Sequence, residues 1–213
     1  MNTRGLLDQL LKSGQQLLQG KGTASPLNGA LAGGAIGLLL GNRKARKLGG
    51  KALAYGGLAA IGVMAYKAYG NWQAQQQTAP RGEPQTLDRL PAADMEEHSL
   101  AILQALVAAA KADGHVDARE RQLLDAEFAR LGAGPDMQAW LQAQLNQPLD
   151  PVQVARAAKT TEMAAEMYLA SVMMVDEEHF MERAYLDELA RQLALDPLLK
   201  EELEGQVRLG EKG

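Results

Sequence analysis

The stretch ALAYGGLAAIGVMAYKAYGNW, residues 52–72, decides how this chain is read, because it is apolar almost throughout and holds a single charge, Lys67. A helix that crosses a bilayer needs roughly 20 apolar residues. The run from Ala52 reaches that length only if Lys67 extends its long stem to carry its ammonium to the interface. Tyr66, Tyr69 and Trp72 follow at the positions where amphipathic rings settle among headgroups. The expectation is therefore a membrane span over about residues 52–70.

Upstream, Leu27 to Gly41 reads LNGALAGGAIGLLLG, uncharged but too short to span alone. Gly29, Gly33, Gly37 and Gly41 recur at every fourth position and share one helical face. Such a face admits a second backbone at close range, the small-residue packing of membrane helices. In water the same glycines would weaken a helix by about 1 kcal/mol each relative to Ala. Residues 27–72 are thus expected to form an anchor, either one span or a short hairpin, with a peripheral or re-entrant segment as the alternative. Between the two apolar runs lie Arg43, Lys44, Arg46, Lys47 and Lys51. Held inside, these cations would send whatever follows a span at 52–70 to the periplasmic side. Residues 1–26 read as an amphipathic segment, with Leu6, Leu7, Leu10, Leu11, Leu17 and Leu18 near one face, followed by a Gly/Ser/Thr/Pro linker. The charges at the N-terminus break the continuous apolar core that a cleavable signal needs.

Downstream, residues 73–93 contain three prolines and no apolar period, the composition of a flexible tether. Charge divides at the same place. Residues 1–87 carry ten Lys/Arg against two Asp/Glu, and residues 88–213 carry twelve against twenty-four, so the net −4 is a +8 part joined to a −12 part. An acidic body of that kind is a poor partner for nucleic acid, whose phosphates need cations. The chain has no cysteine, which removes disulfides, thiolate metal sites and a cysteine nucleophile.

Residues 94–213 are expected to be helical throughout. The segments are about Met95–Ala112, 117–131, 135–145, 151–158, Thr161–Met174, His179–Leu193 and 197–209, a compact all-α bundle joined by short loops. Asp150-Pro151 and Asp196-Pro197 each place a capping side chain before a proline at the first helical position. Met163, Met167, Met173, Met174, Phe128 and Trp140 read as core.

The chemistry-bearing candidate is Ala110-Lys111-Ala112-Asp113-Gly114-His115-Val116-Asp117-Ala118-Arg119-Glu120-Arg121. Asp113, Asp117 and Glu120 gather around a glycine turn. Carboxylate oxygens on a turn suit hard cations such as Ca2+ or Mg2+. The glycine stands in the second place, unlike an EF-hand loop, which needs it in the sixth. Helix capping accounts for Asp117 and Glu120 equally well, but less well for Asp113 at a helix C-terminus. An echo follows downstream: Glu120-Arg121-x-x-Leu124-Asp125 matches Glu182-Arg183-x-x-Leu186-Asp187, preceded by Asp176, Glu177, Glu178 and His179. His115 and His179 read as surface residues at helix ends, with ligation as the alternative. GxSxG, HExxH and P-loop patterns are absent from the sequence, and Ser99 and Ser171 have no catalytic motif around them.

The Ala112–Glu120 segment resembles the signature of TerB-like, tellurite-resistance domains. Together with the basic glycine-rich part and the Asp176–Asp187 segment, the layout resembles the YebE-like inner-membrane proteins of Gram-negative bacteria. That resemblance implies a pseudo-symmetric helical bundle with Asp113, Asp117, Glu120, Asp176 and Glu182 as cation ligands, the second copy lacking the glycine after its Asp. It also implies stress-response work through partners or a metal rather than catalysis. The reading that results is a membrane-anchored, non-enzymatic scaffold or sensor in the inner membrane, binding a protein partner and a divalent ion. The alternative is a structural protein that forms a homo-oligomer through the Gly29/Gly33/Gly37/Gly41 face and carries a passive cap.

Overall fold

The computed structural model describes residues 3, 5, 58–76, 83–112, 121–122, 133–175 and 180–212. Seven helices lie among them: α1 Leu58–Gln75, α2 Ala92–Ala109, α3 Pro135–Asn146, α4 Pro151–Ala155, α5 Thr161–Met174, α6 Phe180–Gln192 and α7 Pro197–Lys212. No strand occurs among the described residues.

The helix starts follow their capping chemistry. The side chain of Asp150 accepts from the Val152 N–H at 2.9 Å, and that of Asp196 from the Leu198 N–H at 2.8 Å, with proline next in both cases. Thr160 caps α5 by accepting from the Met163 N–H at 3.1 Å. Each such bond satisfies a donor that the helix itself cannot, an effect of about 1 kcal/mol. At its other end α6 stops where Ala194 takes φ 51° and the Leu195 N–H donates back to the Ala190 carbonyl at 3.1 Å.

Helix α5 is the axis of the fold. Every residue from Met163 to Met174 is buried, so α5 must be covered on all sides. Helices α1, α2, α6 and α7 pack against it, α3 and α4 pack on α2, and α4 also meets α6. Met163, Met167, Met173 and Met174 are core as expected, and Trp140 packs against the core while partly exposed. Of the seven helices expected over 94–213, six appear close to their expected bounds. The second, 117–131, lies mostly outside the described residues, although Arg121 and Gln122 are helical. Thr3 and Gly5 are helical too, and the Thr3 N–H donates to Glu96 Oε1 of α2 at 2.5 Å.

Helix α1 gives no support to the expected membrane span over residues 52–70, of which residues 52–57 lie outside the described residues. It packs against α5 and α7, with Ile61, Ala65, Ala68, Tyr69 and Trp72 buried in the common core. Val63 and Lys67 face outward, so one face is buried and another is wet, as on any surface helix. Tyr69 and Trp72 are buried and Tyr66 is half-buried. The Tyr69 and Trp72 rings meet edge to face at 5.0 Å, and the Arg89 guanidinium sits 3.8 Å from the Tyr66 ring centre. The C-terminal half of α1 is also tied to the end of the chain. Asn71 Nδ2 and Gln75 Nε2 donate to the two oxygens of Glu202 at 3.0 and 2.8 Å, and Gln76 Nε2 donates to Asp196 Oδ2 at 3.0 Å. Among the described residues no helix is long and apolar enough to cross a membrane. The glycine-rich half of the expected anchor, with Gly29, Gly33, Gly37 and Gly41, lies outside them.

The described part of the expected tether is a strap. Residues 83–91 cross from α1 to α2 with Thr86 and Leu87 buried. Helix α1 and the strap contribute Ile61, Ala65, Ala68, Tyr69, Trp72 and Leu87 to the same buried core as the helices that follow.

Candidate functional site

The strap is held at four points. Thr86 Oγ1 donates to Asp88 Oδ1 at 2.6 Å, which closes a local turn. Asp88 lies against Gly62 of α1 so closely that a Cβ there would come within 2.6 Å of Asp88 Oδ1 and 3.0 Å of its backbone nitrogen. Arg89 stacks on Tyr66 of the same helix. The fourth point reaches the centre of the molecule: the Leu87 N–H donates to Glu166 Oε1, in the middle of α5, at 2.6 Å.

Glu166 is the most consequential polar residue among those described. It is 0% exposed, and its second oxygen, Oε2, stands 3.4 Å from Nε2 of His98, itself 5% exposed, on α2. Neither of these two atoms completes a hydrogen bond. Burial pushes the Glu166 carboxyl up to about 8; the Leu87 N–H opposes the shift, and the negative charges of Asp88 and Glu162 reinforce it. Burial holds His98 below its ordinary value, against the pull of Glu97, Glu162 and Asp94. Both effects favour the uncharged forms, so near neutral pH the pair is a carboxylic acid facing a neutral imidazole. A small approach would turn that contact into a hydrogen bond.

Further polar groups are committed along α5. The Tyr168 hydroxyl donates to Glu204 Oε1 of α7 at 2.8 Å, and Ser171 Oγ donates to the Met167 carbonyl at 3.0 Å. Burial pushes the Tyr185 phenol of α6 up, with the neighbouring Ser171 hydroxyl working the other way.

Of the residues expected to ligate a cation, Asp113, Asp117, Glu120 and Asp176 lie outside the described residues, as do His115 and His179. Glu182 is described. It is the third residue of α6, buried, and engaged in polar contact, as a carboxylate at a helix N-terminus should be. Among the described residues no group of three or more His, Cys, Asp or Glu is placed to hold a metal ion. The residues flanking the acidic turn are nevertheless informative. Lys111 Nζ donates to the carbonyls of Gln144, at 2.9 Å, and Gln147, while Arg121 donates to Asn146 Oδ1 at 2.5 Å. Both cations thus dock on the C-terminal end of α3, where the helix dipole is negative. Burial and the nearby Arg121 charge lower the Lys111 ammonium.

Glu166 and His98 went unrecognised as a pair in the sequence. The signal for Glu166 was present, since it is the lone charged residue between Met163 and Met174. His98 carried no comparable mark.

These features define an all-helical protein with a sealed polar contact at its centre. The chain belongs to a family described as protein of unknown function (DUF533), whose model matches residues 25–207 and which is related to TerB-like domains. The match takes in α1, the strap and the bundle together. The chain is also similar to a Yersinia enterocolitica protein described as an uncharacterized protein in the ampR 5' region. The two are 32% identical over 116 residues, covering 54% of this chain and 84% of that protein. No solved structure matches the chain.

Proposed function

We propose that the protein is a non-enzymatic scaffold or sensor at the bacterial inner membrane. In this reading its basic glycine-rich segment, residues 27–51, associates with the membrane surface while the acidic helical body binds a protein partner. The observation that carries the proposal is the docking of α1 into the core. In sequence only residues 52–57 separate the basic segment 27–51 from α1, so the segment is joined to the packed body at close range along the chain. The YebE-like resemblance supports the membrane arm, and the cations at 43–51 supply the chemistry, each contributing about 1 kcal/mol near an anionic surface. Phe180 and Met181 support the partner arm: they are 79% and 54% exposed at the start of α6, one residue beyond the acidic run 176–178. Large apolar side chains so placed are what a protein partner covers. A divalent ion, Ca2+ or Mg2+, at Asp113, Asp117, Glu120, Asp176 and Glu182 belongs to the sensor form of the same proposal. Calorimetric titration into the full chain should then give heat that Asp113→Asn removes, whereas a flat wild-type trace leaves the scaffold form.

The membrane arm is tested by co-sedimenting the full chain with vesicles of phosphatidylcholine alone or enriched in phosphatidylglycerol. Retention is expected on the anionic vesicles only. It should weaken more than about a hundredfold when Arg43, Lys44, Arg46, Lys47 and Lys51 are all changed to Gln. A chain that stays in the supernatant with both vesicle types has no membrane arm.

A further inference from the structure

A carboxyl group sealed in an apolar core is costly when charged, and the protein places one where the strap crosses its central helix. Glu166 has two oxygens and two tasks: Oε1 accepts the Leu87 N–H, and Oε2 faces His98 Nε2. The geometry points to a proton-controlled latch, in which the acid form of Glu166 keeps the strap 83–91 on α5 and loss of its proton releases the strap.

The surroundings decide the direction. Around the pair stand Asp88 from the strap, Asp94 and Glu97 from α2, and Glu162 from α5, all carboxylates. From α1 comes Tyr69, whose phenol is itself raised by burial and by Glu162. Helices α6 and α7 meet α5 elsewhere, with Tyr185 beside Ser171 and with Glu204 bound to Tyr168. Arg89, the strap's own cation, is taken up by Tyr66, Glu83 and Asp88. None of these groups offers the Glu166 carboxylate a positive charge. His98 could do so only by becoming charged against its own burial. Lifting the strap admits water to Oε1 and relieves the buried charge.

The sign follows from linkage. A carboxyl raised from about 4.5 to about 8 in the closed state binds its proton more tightly closed than open, so closure weakens as pH rises through that interval. His98, lowered when closed, acts oppositely, and only below about 6.5, where the open-state imidazole takes up a proton. Above 6.5 the carboxyl acts alone. Because Asp88 and Arg89 belong to the strap, its release also takes Asp88 from Gly62 and Arg89 from Tyr66, which loosens α1. This latch does not depend on the identity of the partner or on the membrane arm.

The test is hydrogen exchange of the full chain, followed by peptide mass and corrected for the intrinsic pH dependence of exchange. Protection of residues 83–91 should fall about tenfold per pH unit between pH 6.5 and 8 and level off above. Protection of residues 163–174 should hold steady. Glu166→Gln keeps the acceptor for Leu87 and cannot ionise, so its strap protection should be flat across the range. Glu162→Gln removes a like charge at a half-exposed position and should move the levelling point to lower pH. Constant wild-type protection, a parallel fall in Glu166→Gln, or a simultaneous loss at 163–174 would overturn the latch. If Glu166→Gln does not fold, an unmoved levelling point in Glu162→Gln overturns it as well.

Discussion

Helices α1 and α5 are close relatives in composition and opposites in setting. Both are rich in Ala and other apolar residues, and each contains one ionisable acid or base within its apolar stretch, Lys67 in α1 and Glu166 in α5. Helix α5 buries Glu166, uncharged near neutral pH, and every side chain around it; α1 turns Lys67 outward and buries a stripe that includes Ile61, Ala65, Ala68, Tyr69 and Trp72. The stripe repeats at three- and four-residue steps, which is the mark of a helix lying on a core. The comparison teaches that apolar length is a weak guide to solvent. Small residues allow close helix approach in lipid and in a tightly packed soluble body alike.

Two substitutions press on this comparison. The larger effect belongs to Trp72→Ala. If α1 is part of the body, the loss of a buried indole should lower unfolding stability by about 3–5 kcal/mol in a denaturant titration, as a truncation inside α5 would. If α1 lay in lipid, the melting of the acidic body would not move. A smaller effect is expected from Gly62→Ala, at about 1–3 kcal/mol, because the new methyl group meets Asp88 backbone as well as side chain and the strap must shift. Ala is ordinarily the better helix former, so a stabilised Gly62→Ala protein would show that α1 and the strap are not in contact. The pH response of the latch sharpens the contrast from the α5 side, since it reports the ionisable side chain that α5 encloses in its acid form, whereas α1 turns its Lys67 outward.

The local chemistry of the fold was legible in advance. Asp150-Pro151 and Asp196-Pro197 mark helix starts, and the apolar run of α5 marks a helix that seeks cover, because capping and local composition act between neighbours in sequence. Three prolines and a run of glutamines made 73–93 look like free chain. Nothing local reveals that Leu87 meets Glu166 or that Asp88 meets Gly62, since these contacts join segments far apart in sequence. The candidate site was legible only as an odd charge at position 166.

By itself the sequence determined an all-helical chain, the caps of its helices, the division between a basic and an acidic part, and the methionine-lined core of α5. These follow from side-chain period, capping and net charge, which need no knowledge of distant neighbours. Only the tertiary structure decided that α1 lies on the core, that the strap is fastened, and that Glu166 and His98 share one buried contact. A helical face says which side seeks cover, while the covering surface is supplied by segments far along the chain.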